Sequence, residues 1–256
     1  MDRDTMKQLI KKNLLCIPCA FFIAPTIHAQ EAKETTSAWQ HSIEIYALAL
    51  NIRGDSRIGG VSADVDVNPE FIINNIDMGA MLHWETLYKN TWGFYVDYSY
   101  MKLSGDGPSN ANNEIKVRQG VLEAKVFKRY SYNFGSIDYM AGIRWWDNDI
   151  DWSIRGPDGN LDLNPNVKED WVDYLIGARL TTPLSENWDF YLNGDIGLSG
   201  DTSFTSSIQT GVRFHINDWS DLNLAYKSTW VDYDNGDTFA YNTASQGFLI
   251  GWAAHF

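Results

Sequence analysis

The sequence predicts an all-β protein, a closed antiparallel transmembrane β-barrel of about ten strands, and three observations carry that expectation. From Trp39 onward the apolar residues recur with a period of two rather than 3.6. The alternating runs are about 11 to 15 residues long, against the ~5–6 usual in soluble sheets, and long enough to cross a bilayer at a tilt. Their polar faces carry ionisable residues in mid-strand, which suits a hydrated or salt-bridged lumen rather than the core of an exported, soluble β-sandwich.

The first element is an export signal. Lys7, Lys11 and Lys12 precede the apolar stretch Leu14 to Ile23, and Ala29 ends a short segment with a small residue at the expected cut. Cleavage after Ala29 gives a signal peptide at 1–29, a linker at 30–38 and a barrel at 39–256. Met6 is the alternative start, because Asp2 and Asp4 suit a basic leader poorly. Both cysteines, Cys16 and Cys19, fall inside the leader, and Leu15 and Pro18 before them do not match a lipidation site. The remaining chain therefore has neither a disulfide framework nor a thiolate zinc site.

Strands follow near 40–53, 77–88, 91–104, 114–128, 134–147, 169–182, 188–199, 203–216, 219–233 and 244–256, with eight and twelve strands as the alternatives. Ile208, Thr210, Val212, Phe214 and Ile216 form an apolar face opposite Gln209, Gly211, Arg213 and His215. The same split separates Val172, Tyr174, Ile176, Ala178 and Leu180 from Asp173, Leu175, Gly177, Arg179 and Thr181. Gly54 to Ile76 reads as an excursion, a partial strand and then a short helical turn near 69–76, over or inside the barrel mouth. Short connections (Lys89-Asn90, Arg129 to Asn133, Pro183 to Asn187, Asn217-Asp218) alternate with longer ones (105–113, 147–168, 234–242), as periplasmic turns and outer loops do, with Ser199 to Thr202 as the short exception. Trp92, Phe134, Trp188 and Trp219 stand by short turns and Tyr100, Trp152, Trp171 and Trp230 by longer loops, as two aromatic girdles would.

Composition narrows the function. Of 256 residues, 11 are Trp, 13 Tyr and 12 Phe, yet mean hydropathy is −0.32. Net charge is −13, or −15 once Arg3, Lys7, Lys11 and Lys12 leave with Asp2 and Asp4, which argues against a nucleic-acid partner that is held through its phosphates.

Two sets of residues carry a family resemblance. Gly251, Trp252, Ala254 and the terminal Phe256 resemble the closing-strand signal read by the outer-membrane assembly machinery. Asp77-Met78-Gly79-Ala80-Met81, Asp170-Trp171-Val172-Asp173 with Gly177-Ala178-Arg179, and Gly194-Asp195-Ile196-Gly197 are similar to segments of proteobacterial outer-membrane β-barrel proteins allied to the porin and opacity-protein superfamily. The resemblance covers most of 39–256. It implies the outer membrane of a Gram-negative bacterium, with its lipids, lipopolysaccharide, assembly machinery and periplasmic chaperones as partners, and it is weak for activity. Ala225-Tyr226-Lys227 stands where related chains often have Gly-Tyr-Arg, so lumen geometry does not carry over.

The expected lumen charge network is Glu85, Asp97, Glu123, Lys125, Asp138, Arg144, Asp173, Arg179, Asp195, Arg213 and Lys227, together with Asp221 and, as candidates, His83 and His215. An ion-pair network that fills a narrow barrel is the leading reading, and a narrow porin-like channel for small polar solutes or ions is the alternative. Acidic clusters (Asp147, Asp149, Asp151, Asp158 and Asp162; Asp232, Asp234 and Asp237) read as solvated loop tips, with weak divalent-cation binding as the second reading. His41 and His255 fall at the periplasmic end, His215 lies close to a periplasmic turn and His83 has no serine neighbour in sequence, so the chain is expected to be no enzyme, with a lipid-modifying barrel as the remaining alternative. No cofactor or resident metal is expected. The overall expectation is a monomeric barrel in envelope structure or surface interaction.

Overall fold

The computed structural model describes residues 38–256 apart from 59–60, 107–113, 156–161 and 164–165. The expected leader, both cysteines and most of the expected linker lie outside the described residues.

The strands are β1 (Trp39–Ile58), β2 (Val61–Val67), β3 (Ile76–Tyr88), β4 (Trp92–Asp106), β5 (Glu114–Tyr132), β6 (Gly135–Arg155), β7 (Asp162–Leu163), β8 (Asn166–Pro183), β9 (Trp188–Leu198), β10 (Thr202–Asn217), β11 (Ser220–Asp234) and β12 (Phe239–His255), with helix α1 at Pro69–Asn75. Ten of them, β1, β3 to β6 and β8 to β12, pair antiparallel in sequence order. The pairing of β12 with β1, from Ser42↔His255 to Ile58↔Phe239, closes the sheet into a barrel. β2 pairs only with the upper part of β1, and β7 only with the end of β6.

Alternation fixes the faces. Ile43, Ile45, Tyr139, Tyr174, Ile176, Ile208, Phe248 and Ile250 all point outward and are exposed. Each strand contributes about five outward apolar positions, so the belt is roughly 25 Å tall at the usual rise and tilt, the height of the apolar band in membrane barrels. Trp92, Phe134, Trp188 and Trp219 are exposed at the short-hairpin end of this belt, and Trp219 meets Trp252 edge-on at 6.0 Å. Beyond its other edge the outward positions turn polar, with Arg53, Lys102, Arg118, Asp147 and Lys168 forming a charged collar.

The strands run farther than the sequence reading placed them. β6 continues to Arg155 and β8 starts at Asn166, still in register at Asp151↔Asn166, so most of the expected 147–168 loop is sheet. Arg129 to Tyr132, expected as a turn, belongs to β5 and pairs with Gly135 to Asp138. Hydrogen bonding between neighbours, not lipid contact, sets how long a strand continues, so charged residues extend the sheet beyond the belt. Trp171 is a second correction. It shares the inward parity of Asp173 and is 6% exposed inside the barrel, away from any girdle. Trp152's side chain and Asp158 lie outside the described residues.

Helix α1 forms where the excursion was expected. The Asn68 side chain accepts a 2.8 Å hydrogen bond from the Phe71 amide, and Pro69 occupies the first turn, where a missing N–H costs nothing. Its Ile72 is buried against Ile52, Met101 and Leu103, all inward-facing, so the helix packs on the inner side of β1 and β4.

Candidate functional site

The lumen holds every charged residue that the sequence placed there, arranged in three layers along the barrel axis. In the central layer the Arg144 guanidinium is fully buried. It donates to Glu123 at 3.0 Å, to Asp195 at 3.0 Å and to the Thr205 hydroxyl at 3.0 Å. Lys125 Nζ donates to Glu123 at 2.9 Å and to Asp195 at 2.7 Å. Lys227 comes from β11, which lies opposite β5 in the ten-strand ring, and its ammonium still reaches Glu123 at 3.6 Å. Asp97 completes the layer, accepting from the Tyr46 hydroxyl at 2.8 Å and facing His83 Nδ1 at 3.2 Å. Three cations (Lys125, Arg144, Lys227) thus meet three anions (Asp97, Glu123, Asp195), which is what burial of charge requires.

Toward the short-hairpin end, Arg179 forks onto Glu85 at 2.6 and 2.9 Å and onto Asp138 at 2.8 Å. Arg129 donates two further bonds to Asp138, at 2.7 and 2.9 Å. Both guanidiniums lie over the Phe127 ring, at 5.7 Å for Arg129 and 5.1 Å for Arg179. Nearby, Asp221 is held by His215 Nδ1 at 2.8 Å and His255 Nε2 at 2.7 Å, and Asp189 faces His215 Nε2 at 3.2 Å. Arg213 has looser partners, Asp221 at 3.9 Å and Glu44 at 4.0 Å. Apart from Phe127 and Asp138, these groups line a cavity of about 630 Å³ that also takes in His41, Tyr191 and Asn193.

The opposite, collar end is closed by aromatic rings. Trp171 stacks on Tyr233 at 3.9 Å and on Trp146 at 5.5 Å, and Phe239 and Tyr241 complete the cluster. Trp146 on β6 and Tyr241 on β12 stand on opposite walls, yet their rings are 6.4 Å apart. Asp173 belongs to this upper layer. It is fully buried and accepts from the Trp146 indole at 3.0 Å, and among the described residues no cation pairs with it.

Several participants escaped sequence reasoning. Glu44 and Tyr46 share the inward parity of Ser42 and were legible from the outward Ile43 and Ile45. Arg129 was lost when its segment was assigned to a turn, and the lumen rings because apolar residues were taken to face lipid. Of the acidic clusters, Asp147, Asp149 and Asp234 are ion-paired in the sheet, whereas Asp237 is exposed in the turn after β11. Arg118 binds Asp147 at 2.8 Å and Asp149 at 3.3 Å, and Arg57 binds Asp234 at 2.7 Å. Burial would raise the Asp149 carboxyl, but hydrogen bonds from Asn166 and Arg118 and the charges of Lys168 and Arg118 hold it below the usual range.

At the C-terminus Gly251 faces inward, and a Cβ there would meet Glu44 Oε1 at 2.2 Å. The glycine thus leaves room for Glu44 to accept from Asn223 at 2.7 Å. Trp252 and Phe256 point outward, and Phe256 exchanges backbone hydrogen bonds with His41 at the seam. Ala254 pairs with Ile43 across that seam.

No family profile and no curated protein sequence matches the chain. Among solved structures it is similar to the translocator domain of the autotransporter NalP from Neisseria meningitidis, at 11% identity and TM-score 0.50 over 88% of this chain and 90% of that one. It is also similar to the outer membrane protease OmpT from Escherichia coli (10% identity, TM-score 0.46, 88% and 98% covered). A third is Ail, the attachment invasion locus protein of Yersinia pestis (10% identity, TM-score 0.39, 86% and 100% covered). At this identity the likeness to the NalP translocator domain speaks to architecture alone, a closed antiparallel barrel of the outer-membrane type.

Proposed function

We propose that this chain is an outer-membrane β-barrel of a Gram-negative bacterium whose own side chains occlude its lumen, and that it serves envelope structure or surface interaction rather than solute flux. The observation that carries the occlusion is the contact between Lys227 and Glu123 from opposite walls, beside a guanidinium with no exposed surface. A second closure, the aromatic layer, lies above it. Insertion in a bilayer is supported by the outward belt, which exposes Tyr174, Ile176 and Phe248 at 64–72% of their surface and would be costly in water.

The collar cations above the belt suit the phosphates of lipopolysaccharide, and the Gly251 to Phe256 strand suits recognition by the assembly machinery. We read no catalytic role into the lumen histidines. His83, His215 and His255 are each held by carboxylates. A lipid-substrate assay with His83→Ala as control tests that reading, and turnover lost on substitution would reverse it. Planar bilayers carrying the purified chain test the occlusion. The expected trace is silent, and discrete conductance steps would replace this reading with the narrow channel.

A further inference from the structure

The barrel wall is split at one place. β1 pairs with β3 only from Trp39↔Tyr88 to Ile45↔Leu82, and with β2 only from Ile52↔Val67 upward. Between these two ladders, residues 46–51 of β1 have no strand partner on that side. Residues 76–81 of β3 likewise keep only their β4 partners. The 14 residues 68–81 occupy a stretch that six residues, 46–51, cover on β1, and the surplus includes α1, folded inward. The result is a notch about 20 Å long between two strand edges. At the usual tilt of about 40° it covers about 15 Å along the barrel axis, or one leaflet of a ~30 Å core.

Its position gives it meaning. The outward residues of β1 here are Ala47, Ala49 and Asn51, in the half of the belt nearest the collar, with Arg53 just above. Ile73, Ile76 and Met78 are exposed around it at 71, 43 and 58%. Behind it the lumen is apolar. Leu50, Ile52, Met101 and Leu103 face Ile72 of α1 there. An open strand edge in hydrocarbon is costly wherever its peptide groups are desolvated without a partner, so the notch favours an occupant with polar atoms at its upper end, beside Asn51 and Arg53, and an apolar tail below, beside Ala47 and Ala49.

We propose that the notch is a docking site for the acyl chain of a surrounding bilayer lipid, lying between Ala47–Ala49 and Met78–Ala80 with its tail against Leu50 and Met101. The proposal rests on the membrane-barrel reading. Apolar tail meets apolar floor, and the linkage at the head of the chain meets the open strand edges and Arg53.

The test needs no substitution. The chain is labelled with ¹³C at its methionine methyls and placed in nanodiscs of phosphatidylcholine with a small fraction of phosphatidylcholine that carries a nitroxide near the chain end. Met78 faces lipid, while Met101 and Met140 both lie inside the wall, 8 and 5% exposed, with only Met101 behind the notch. The expected result is strong broadening at Met78 and several-fold more at Met101 than at Met140. Filling the notch with Ala80→Trp should remove the excess at Met101. Equal, weak broadening at Met101 and Met140 with Met78 broadened would overturn the proposal and leave the membrane reading intact. No broadening at any of the three would remove the membrane reading itself. A dimeric mass in detergent with Met101 unaffected would assign the notch to a second copy of this chain and likewise overturn the proposal.

Discussion

Replacing Arg144 by Met tests whether the central ion layer holds the barrel together. Arg144 has no exposed surface and makes bonds to Glu123, Asp195 and Thr205. Methionine fills much of the same space without charge, so the loss is mainly that of the cation. Removing one member of a buried pair costs ~3–5 kcal/mol, because its partner is left charged and uncompensated. Here Glu123 keeps Lys125 at 2.9 Å and Lys227 at 3.6 Å, and Asp195 keeps Lys125 at 2.7 Å. The low end of that range, about 3 kcal/mol, is therefore expected, or about a hundredfold in the folding equilibrium. The layer would then hold three anions and two cations. Adding Glu123→Gln returns it to two of each and should recover a large part of the loss. Reversible urea unfolding in detergent, followed by tryptophan fluorescence, measures both variants. A cost below about 1 kcal/mol for Arg144→Met, or no recovery in the double variant, would refute the claim that paired charge stabilises this lumen.

Three other outcomes follow from the same geometry. Trp171→Ala with Tyr233→Ala takes two of the five rings out of the collar-end aromatic layer but leaves the ion layer in place, so planar bilayers should stay silent; truncating Lys227 and Arg144 to Ala in the same chain should give conductance steps. Gly142→Ala would set a Cβ 2.0 Å from the Ala124 carbonyl oxygen of the neighbouring strand, so the sheet must part locally, and unfolding experiments should show a loss of about 1–3 kcal/mol. The Asp149 carboxyl, above the belt, is held below its ordinary value, so it supports the folded state above its unfolded pKa and loses that contribution as pH falls through the lower, folded value. Amide exchange at 147–151 and 166–168 should therefore rise only under acid, below about pH 4, and Asp149→Asn should flatten that rise.

Particular residues show what was legible beforehand. Ile43 and Ile45 against Glu44, or Tyr139 and Ala141 against Asp138 and Met140, identify strand and face from alternation alone, since one residue of slip would turn every charge into lipid. The helical turn read at 69–76 likewise opens on Pro69, while the Asn68 cap is what the structure adds. Arg129 was missed because the turn was placed too early, and Trp171 because parity was overruled by the expectation that tryptophan belongs at a membrane boundary.

The sequence by itself determined the wall, because inward and outward positions follow from a period of two read along each strand, and with them the lipid-facing belt and the list of charges turned away from it. Only the tertiary structure decided which of those charges meet. Glu123 and Lys227 are more than a hundred residues apart and touch because β5 and β11 stand on opposite sides of a ten-strand ring, so their distance depends on the diameter and stagger of the closed sheet. The notch beside α1 has the same origin. It arises where 14 residues run alongside six, a mismatch of register between separate strands that no single strand's pattern contains.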